Sequence, residues 1–114
     1  MKLPNGDRVS ISTSKIVGYC LNKNHQTGKH KAKVFSSVLG ITASNSEELE
    51  ELIRVAAIEG EVVSQNGTNT GQQLKVDWVV PGVERSSGRP AILRTIWEIA
   101  SGDLRPRLIS AFIR

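Results

Sequence analysis

Sulfur and aromatic rings are scarce in this chain: one cysteine, one methionine, one tyrosine, two phenylalanines and two tryptophans among 114 residues. With Cys20 alone, no internal disulfide framework and no multi-cysteine metal site can be built, and a reducing, cytoplasmic compartment is the simplest setting. No apolar run approaches the ~20 residues that cross a bilayer. The opening MKLPNGDRVSIS has a basic residue but no continuous apolar segment behind it, which argues against a secretory signal peptide. Phosphate-loop, dinucleotide, nucleophile-elbow and CxxC motifs are missing, as are internal repeats and low-complexity tracts.

What is present fits one domain, residues 1–114, because a chain of this length supports one hydrophobic core but not two. Its net charge of +4 is unevenly spread. Residues 1–40 carry seven basic and one acidic side chain, residues 41–61 hold six of the eleven acids, and residues 62–114 have seven basic groups against four acidic ones. One acidic helix between basic flanks is compatible with a face that attracts a polyanion, although solubility alone tolerates such a charge.

Pro4-Asn5-Gly6 is a turn signal, so residues 2–11 are expected to form a small hairpin or an irregular arm. From Ser14, the positions Ile16, Val17, Tyr19 and Cys20 suit a short helix, which LNKNHQTGKH interrupts. Ala32, Phe35, Val38 and Leu39 recur at helical spacing, and Gly40 stands where a C-terminal cap belongs. Ser44 and Glu47 read as a capping box for a third helix with Leu49, Leu52, Ile53 and Ala56 on its inner face, ended by Gly60. Beyond it the period becomes two. Leu74, Val76, Trp78 and Val80 alternate with Lys75 and Asp77 until Pro81-Gly82 closes the strand. Ala91 to Ile99 and Leu108 to Ile113 are further strands, the last so apolar that a central place is expected, and Glu61 to Val63 adds a short first one. The class is α+β, with about three N-terminal helices followed by a three- or four-stranded antiparallel sheet.

The densest chemical constellation is Lys23, His25, Lys29, His30, Lys31 and Lys33, which contains no acid. Cations at a helix start oppose the macrodipole, and a bound phosphate would relieve that conflict; the alternative is a solvated basic loop. His25 and His30 are the only histidines and the only side chains whose ordinary pKa, ~6.5, permits proton exchange near neutrality. Metal-free RNA cleavage needs such groups to take the proton from a ribose 2′-hydroxyl and to give one to the departing 5′-oxygen, with a cation on the phosphate. No cofactor is expected, and a metal site is a poor competitor because the nearby ligands are too few. Lys29, Lys33, Arg105 and Arg107 are candidate phosphate contacts, as is Arg94, and each arginine has an ordinary alternative as a solvated charge. Trp78 and Trp97 fall at inward strand positions, where core packing outweighs base stacking.

The segments LPNGDR, YCLNKNH, GKHKAKVF and LGIT, the pair Gly71-Gln72 and the ending Pro106-Arg107-Leu108-Ile109-Ser110-Ala111-Phe112 resemble, along the whole chain, a bacterial family known as a domain of unknown function. Ser110 and Phe112 replace the Thr and Tyr of that family's Thr-Ala-Tyr ending. The resemblance implies a two-component arrangement with a small neutralising partner protein. The order of helices before an antiparallel sheet is also similar to the barnase, colicin and RelE-like ribonuclease toxins. By position, that likeness implies catalytic roles for His25, His30, Lys31, Arg94 and Ser110, and puts any role of a terminal tyrosine hydroxyl in doubt at Phe112. The functional expectation is a metal-independent ribonuclease-like toxin domain acting on RNA; the alternative is a non-catalytic module that binds a protein, or nucleic-acid phosphates.

Overall fold

At Gly60 the helical spacing of apolar residues gives way to alternation, and the backbone changes with it. The computed structural model describes residues 1–22 and 29–114, apart from the side chains of Lys15, Tyr19 and Lys29. Helix α1 (Thr13–Lys15) is one turn that runs on as a π-helical turn, Ile16–Cys20. Helix α2 (Lys29–Val34) continues likewise through Phe35–Leu39, and α3 spans Ser46–Glu59. Strands β1 (Glu61–Thr68), β2 (Gly71–Glu84), β3 (Pro90–Ala100) and β4 (Arg107–Ile113) form one antiparallel sheet in the order β1-β2-β3-β4. The α+β class is therefore as expected. Among the described residues no helix is long and apolar enough to cross a membrane.

Leu49, Ile53, Ala56 and Ala57 bury one face of α3. They join a core with Leu74 and Val76 of β2, Leu93 and Trp97 of β3, and Leu108 and Ala111 of β4. Each large apolar side chain buried there contributes roughly 1.5–3 kcal/mol. The glutamates face outward. Gly60 permits the sharp exit from α3, because a Cβ on it would lie 2.6 Å from both Ala56 O and Val76 Cγ1. The helix entry differs from expectation: Thr42 Oγ1 accepts from Ser44 N–H and Asn45 Oδ1 accepts from Thr42 N–H. The reciprocal cap thus sits on a 3-10 turn, Ala43–Asn45, that precedes α3, and Ser44 Oγ is hydrogen-bonded to Thr42 Oγ1.

Residues 2–11 form the irregular arm and not the hairpin. Asn5 takes the left-handed conformation (φ 54°), a 3-10 turn follows at Gly6–Arg8, and Leu3 and Val9 are buried. One end of the arm meets β1, where Val62 N–H donates to Met1 O (2.8 Å). The other end meets β4, where Ser10 N–H donates to Pro106 O (2.8 Å) and Ser10 O accepts from Leu108 N–H (3.0 Å).

The strands are longer than their apolar runs. β1 continues to Thr68, and β2 passes through Pro81-Gly82 to Glu84, its pairing with β3 interrupted between Val79 and Glu84. Trp97 is fully buried and donates Nε1–H to Thr95 Oγ1 (2.8 Å), whereas Trp78 is only partly covered. β4 corrects the expectation of a central strand: it lies at the sheet edge. Its apolar composition has a different cause, since the arm lies along its start, helix α2 reaches its end, and the core lies beneath it.

Candidate functional site

Alternation along β4 fails at one place, and that failure arranges the face opposite the core. Trp97 is opposite Leu108 and Ile96 is opposite Ser110, so Ile109 is an extra residue in the β3–β4 ladder. A bulge of this kind re-aims the side chains that follow it. Unbroken alternation from the buried Leu108 would have sent Ser110 and Phe112 into the core. With the bulge, Ala111 and Ile113 are buried, while Ser110 and Phe112 join the face that carries Ile96 and Arg94. Arg94 stands opposite Phe112 on one side and opposite Asp77 on the other. Lys31 of α2 completes the row, its Nζ 4.6 Å from the centroid of the Phe112 ring. Such a cation over an aromatic face is attracted by the ring quadrupole, by about 0.5–1 kcal/mol near a surface.

Arg94 is firmly held. It donates from Nε to Asp77 Oδ1 (2.7 Å) and from Nη2 to Asp77 Oδ2 (3.0 Å). Arg114 Nη1 also donates to Asp77 Oδ2 (2.8 Å). Burial pushes the Asp77 carboxyl up, but the hydrogen bonds and charge of Arg94, then of Arg114, outweigh it and hold the carboxyl below its ordinary value. The Arg94 guanidinium is raised, chiefly by its hydrogen bonds to Asp77 and against the opposing effect of burial. One carboxylate thus orients two guanidiniums on this face.

Of the expected catalytic residues, the fold brings Lys31, Arg94 and Ser110 into one neighbourhood around Phe112. Ser110 Oγ is buried and has no hydrogen-bond partner among the described residues. His30 is exposed on α2 beside Lys31, and His25 lies outside the described residues, as does the side chain of Lys29. Lys33 is exposed. The two remaining phosphate candidates are separate from this group: Arg107 is ion-paired with Glu98, which is about 13 Å along β3 from Arg94. Arg105 Nε donates to Arg8 O (2.8 Å), and Arg105 lines a cleft of about 390 Å³ with Asn5, Arg8, Asp103 and Leu104. Among the described residues no group of three His, Cys, Asp or Glu is gathered as a metal site would require.

A second basic group escaped the sequence reading. The β2–β3 hairpin turns on Arg85-Ser86-Ser87-Gly88, with Gly88 N–H donating to Arg85 O (2.9 Å) and Arg85 N–H donating to Arg89 O (2.8 Å). Gly88 supplies the positive φ of 81° that this three-residue loop demands. Arg85 and Arg89 thereby flank the hairpin mouth, and Arg114 reaches it from the end of β4. Together with Ser87, Pro90 and Ile92 they line a cleft of about 650 Å³. Arg85 Nη1 donates to the main-chain oxygen of Arg114, and Arg114 is tied to Asp77, so the cleft adjoins the Arg94 row. The sequence signal was the pair of arginines spaced four apart around Ser-Ser-Gly; Arg114 is brought to them only by the pairing of β3 with β4.

No match is found among curated proteins or among solved structures. The whole described fold, from the arm to β4, nevertheless lies within one recognised unit: the model of the family Domain of unknown function (DUF6883) matches residues 2–114, and the chain belongs to that family.

Proposed function

We propose that this chain is a metal-independent ribonuclease-like toxin domain that holds an RNA phosphodiester on the face where Lys31, Phe112 and Arg94 meet. The observation that carries this reading is the convergence, through the Ile109 bulge, of Lys31, Arg94 and Ser110 from three distant parts of the chain. An ammonium and a guanidinium complement a phosphate, and the half-buried Phe112 ring offers an aromatic surface for a base. His25 and His30 are the proton-exchanging groups of the reaction. One takes the 2′-hydroxyl proton as O2′ bonds to phosphorus; the other protonates O5′ as the P–O5′ bond breaks. The product is a 2′,3′-cyclic phosphate, and the nucleophile belongs to the substrate. The buried thiol Cys20 suits a reducing cytoplasm, and a small neutralising partner protein belongs to the same reading.

The experiment is induced expression and purified RNA cleavage by the wild type, His25→Ala and His30→Ala, with and without EDTA. Loss of an acid or base lowers the rate by about 100- to 10,000-fold. Expected are wild-type toxicity, cyclic-phosphate ends, indifference to EDTA and loss of cleavage in at least one histidine variant. Cleavage that needs a metal, or that survives both replacements, refutes the mechanism.

The binding-module reading has its own support: Arg94 is committed to Asp77, and Ser110 Oγ is buried away from solvent. If RNA binds and is not cut, that reading stands. Charge reversal of Lys29, Lys31 and Lys33 should then weaken binding and flatten its salt dependence.

A further inference from the structure

We infer that the cleft at the β2–β3 hairpin is a second anion site, and that it takes the terminal phosphate of a nucleotide or RNA end. Three guanidiniums line it, from Arg85, Arg89 and Arg114, with the Ser87 side chain and, among the described lining residues, no side-chain carboxylate; the main-chain oxygen of Arg114 accepts from Arg85 at its edge. Each guanidinium has five donors in a fixed fork. Arg114 spends one nitrogen on Asp77, Arg85 spends one on the Arg114 oxygen, and the Arg89 side chain has no hydrogen-bond or ion-pair partner among the described residues. The remaining donors surround a space of about 650 Å³, which admits a phosphate together with the sugar that bears it.

The number of acceptors identifies the form of phosphate. A phosphodiester inside an RNA strand offers two non-bridging oxygens and a single charge. A terminal phosphate offers three oxygens and close to two charges at neutral pH, which matches three forks and a hydroxyl. Pro90 and Ile92 supply an apolar wall for the ribose or base, as nucleotide sites commonly have. The arginines are also well placed in advance: the short Arg85–Arg89 turn is closed by two backbone hydrogen bonds, and Asp77 steadies Arg114. The ordering left for the ligand to impose falls on the exposed Arg89 side chain.

The proposed ribonuclease reading is needed only to name the bearer of the phosphate. Calorimetric titrations would use inorganic phosphate, a nucleoside 5′-monophosphate, a nucleoside 3′-monophosphate and the parent nucleoside. Fluorescence anisotropy would compare a short oligoribonucleotide with and without its end phosphate. Proteins would be the wild type, Arg89→Gln and Lys31→Gln; Arg89 is exposed, so the first variant keeps the fold. Expected is binding of the monophosphates and not the nucleoside, about ten-fold tighter binding of the phosphorylated oligonucleotide, and loss of that advantage in Arg89→Gln but not in Lys31→Gln. The 5′ and 3′ forms identify which end is read.

The two readings fail separately. Monophosphates that still bind in an Arg89-dependent way, while the hydroxyl-ended RNA does not bind at all, uphold this cleft and remove the RNA-backbone site. RNA that binds through Lys31, with no effect of the end phosphate or of Arg89→Gln, overturns the cleft. So does Arg89-dependent binding of an acidic peptide with no binding of any monophosphate.

Discussion

Replacing Asp77 by asparagine should lower stability and raise phosphate affinity together, because the same carboxylate steadies Arg94 and Arg114 and competes for them. Its side chain is 12% exposed and that of Arg94 22%, so the two hydrogen bonds between them are largely screened from water. Hydrogen bonds to charged groups contribute about 1.5–3 kcal/mol. The Arg114 contact is half-exposed on the arginine side and adds only a few tenths of a kcal/mol. The expected loss is about 2 kcal/mol, or a melting temperature lower by roughly 8 °C for a domain of this size.

The pH dependence has a definite sign. The folded state holds the Asp77 carboxyl below its ordinary 3.8, so the contribution is complete above that value and disappears as the pH falls through the lowered one. Thermal melts of wild type and Asp77→Asn should therefore differ fully near neutrality, begin to converge as the pH falls past 3.8, and meet below the lowered value. Anisotropy with an oligoribonucleotide should show the variant binding more tightly at low salt. An undiminished melting difference in acid, or no difference at neutral pH, would refute the assigned ion pairing. Weaker RNA binding by the variant would refute the competition.

Gly6→Ala should destabilise the fold by about 1–3 kcal/mol, read by urea denaturation, since its Cβ would lie 2.2 Å from Ala57 O and must push the arm away from α3. Ser110→Ala should leave the melting temperature unchanged or raise it, because the buried hydroxyl has no partner among the described residues; stability lost by more than about 0.5 kcal/mol would mean that the hydroxyl is bonded. Cys20 is fully buried and should resist a thiol reagent in native buffer and react at once in denaturant; rapid native labelling would contradict the packing of the Ile16–Cys20 turn.

Signals carried by neighbouring residues were legible. The glycine caps at Gly40 and Gly60, the apolar stripe of α3 and the alternation of β2 and β3 each arise from local geometry repeated along a few turns or pleats. The buried state of Trp97 followed from that alternation. Less local matters were misread: the capping box moved to Thr42 and Asn45, because a 3-10 turn precedes α3. The apolar composition of β4 predicts a central strand, because composition reports that a strand is covered and not whether the cover is another strand, a helix or an arm.

The candidate site divides in the same way. From the sequence alone come the α+β class, the basic stretch around α2 and, through the likeness to ribonuclease toxins, the candidacy of Lys31, Arg94 and Ser110 for phosphate chemistry. Only tertiary structure decides that Ile109 bulges out and puts Ser110 on the face of Arg94, that Asp77 holds two arginines, and that Arg114 joins Arg85 and Arg89. The reason is the range of the interactions. Periodicity and caps depend on residues within a few positions, whereas a strand register and a shared carboxylate depend on more distant partners, from Trp97 with Leu108 to Asp77 with Arg94 and Arg114, whose meeting no single segment encodes.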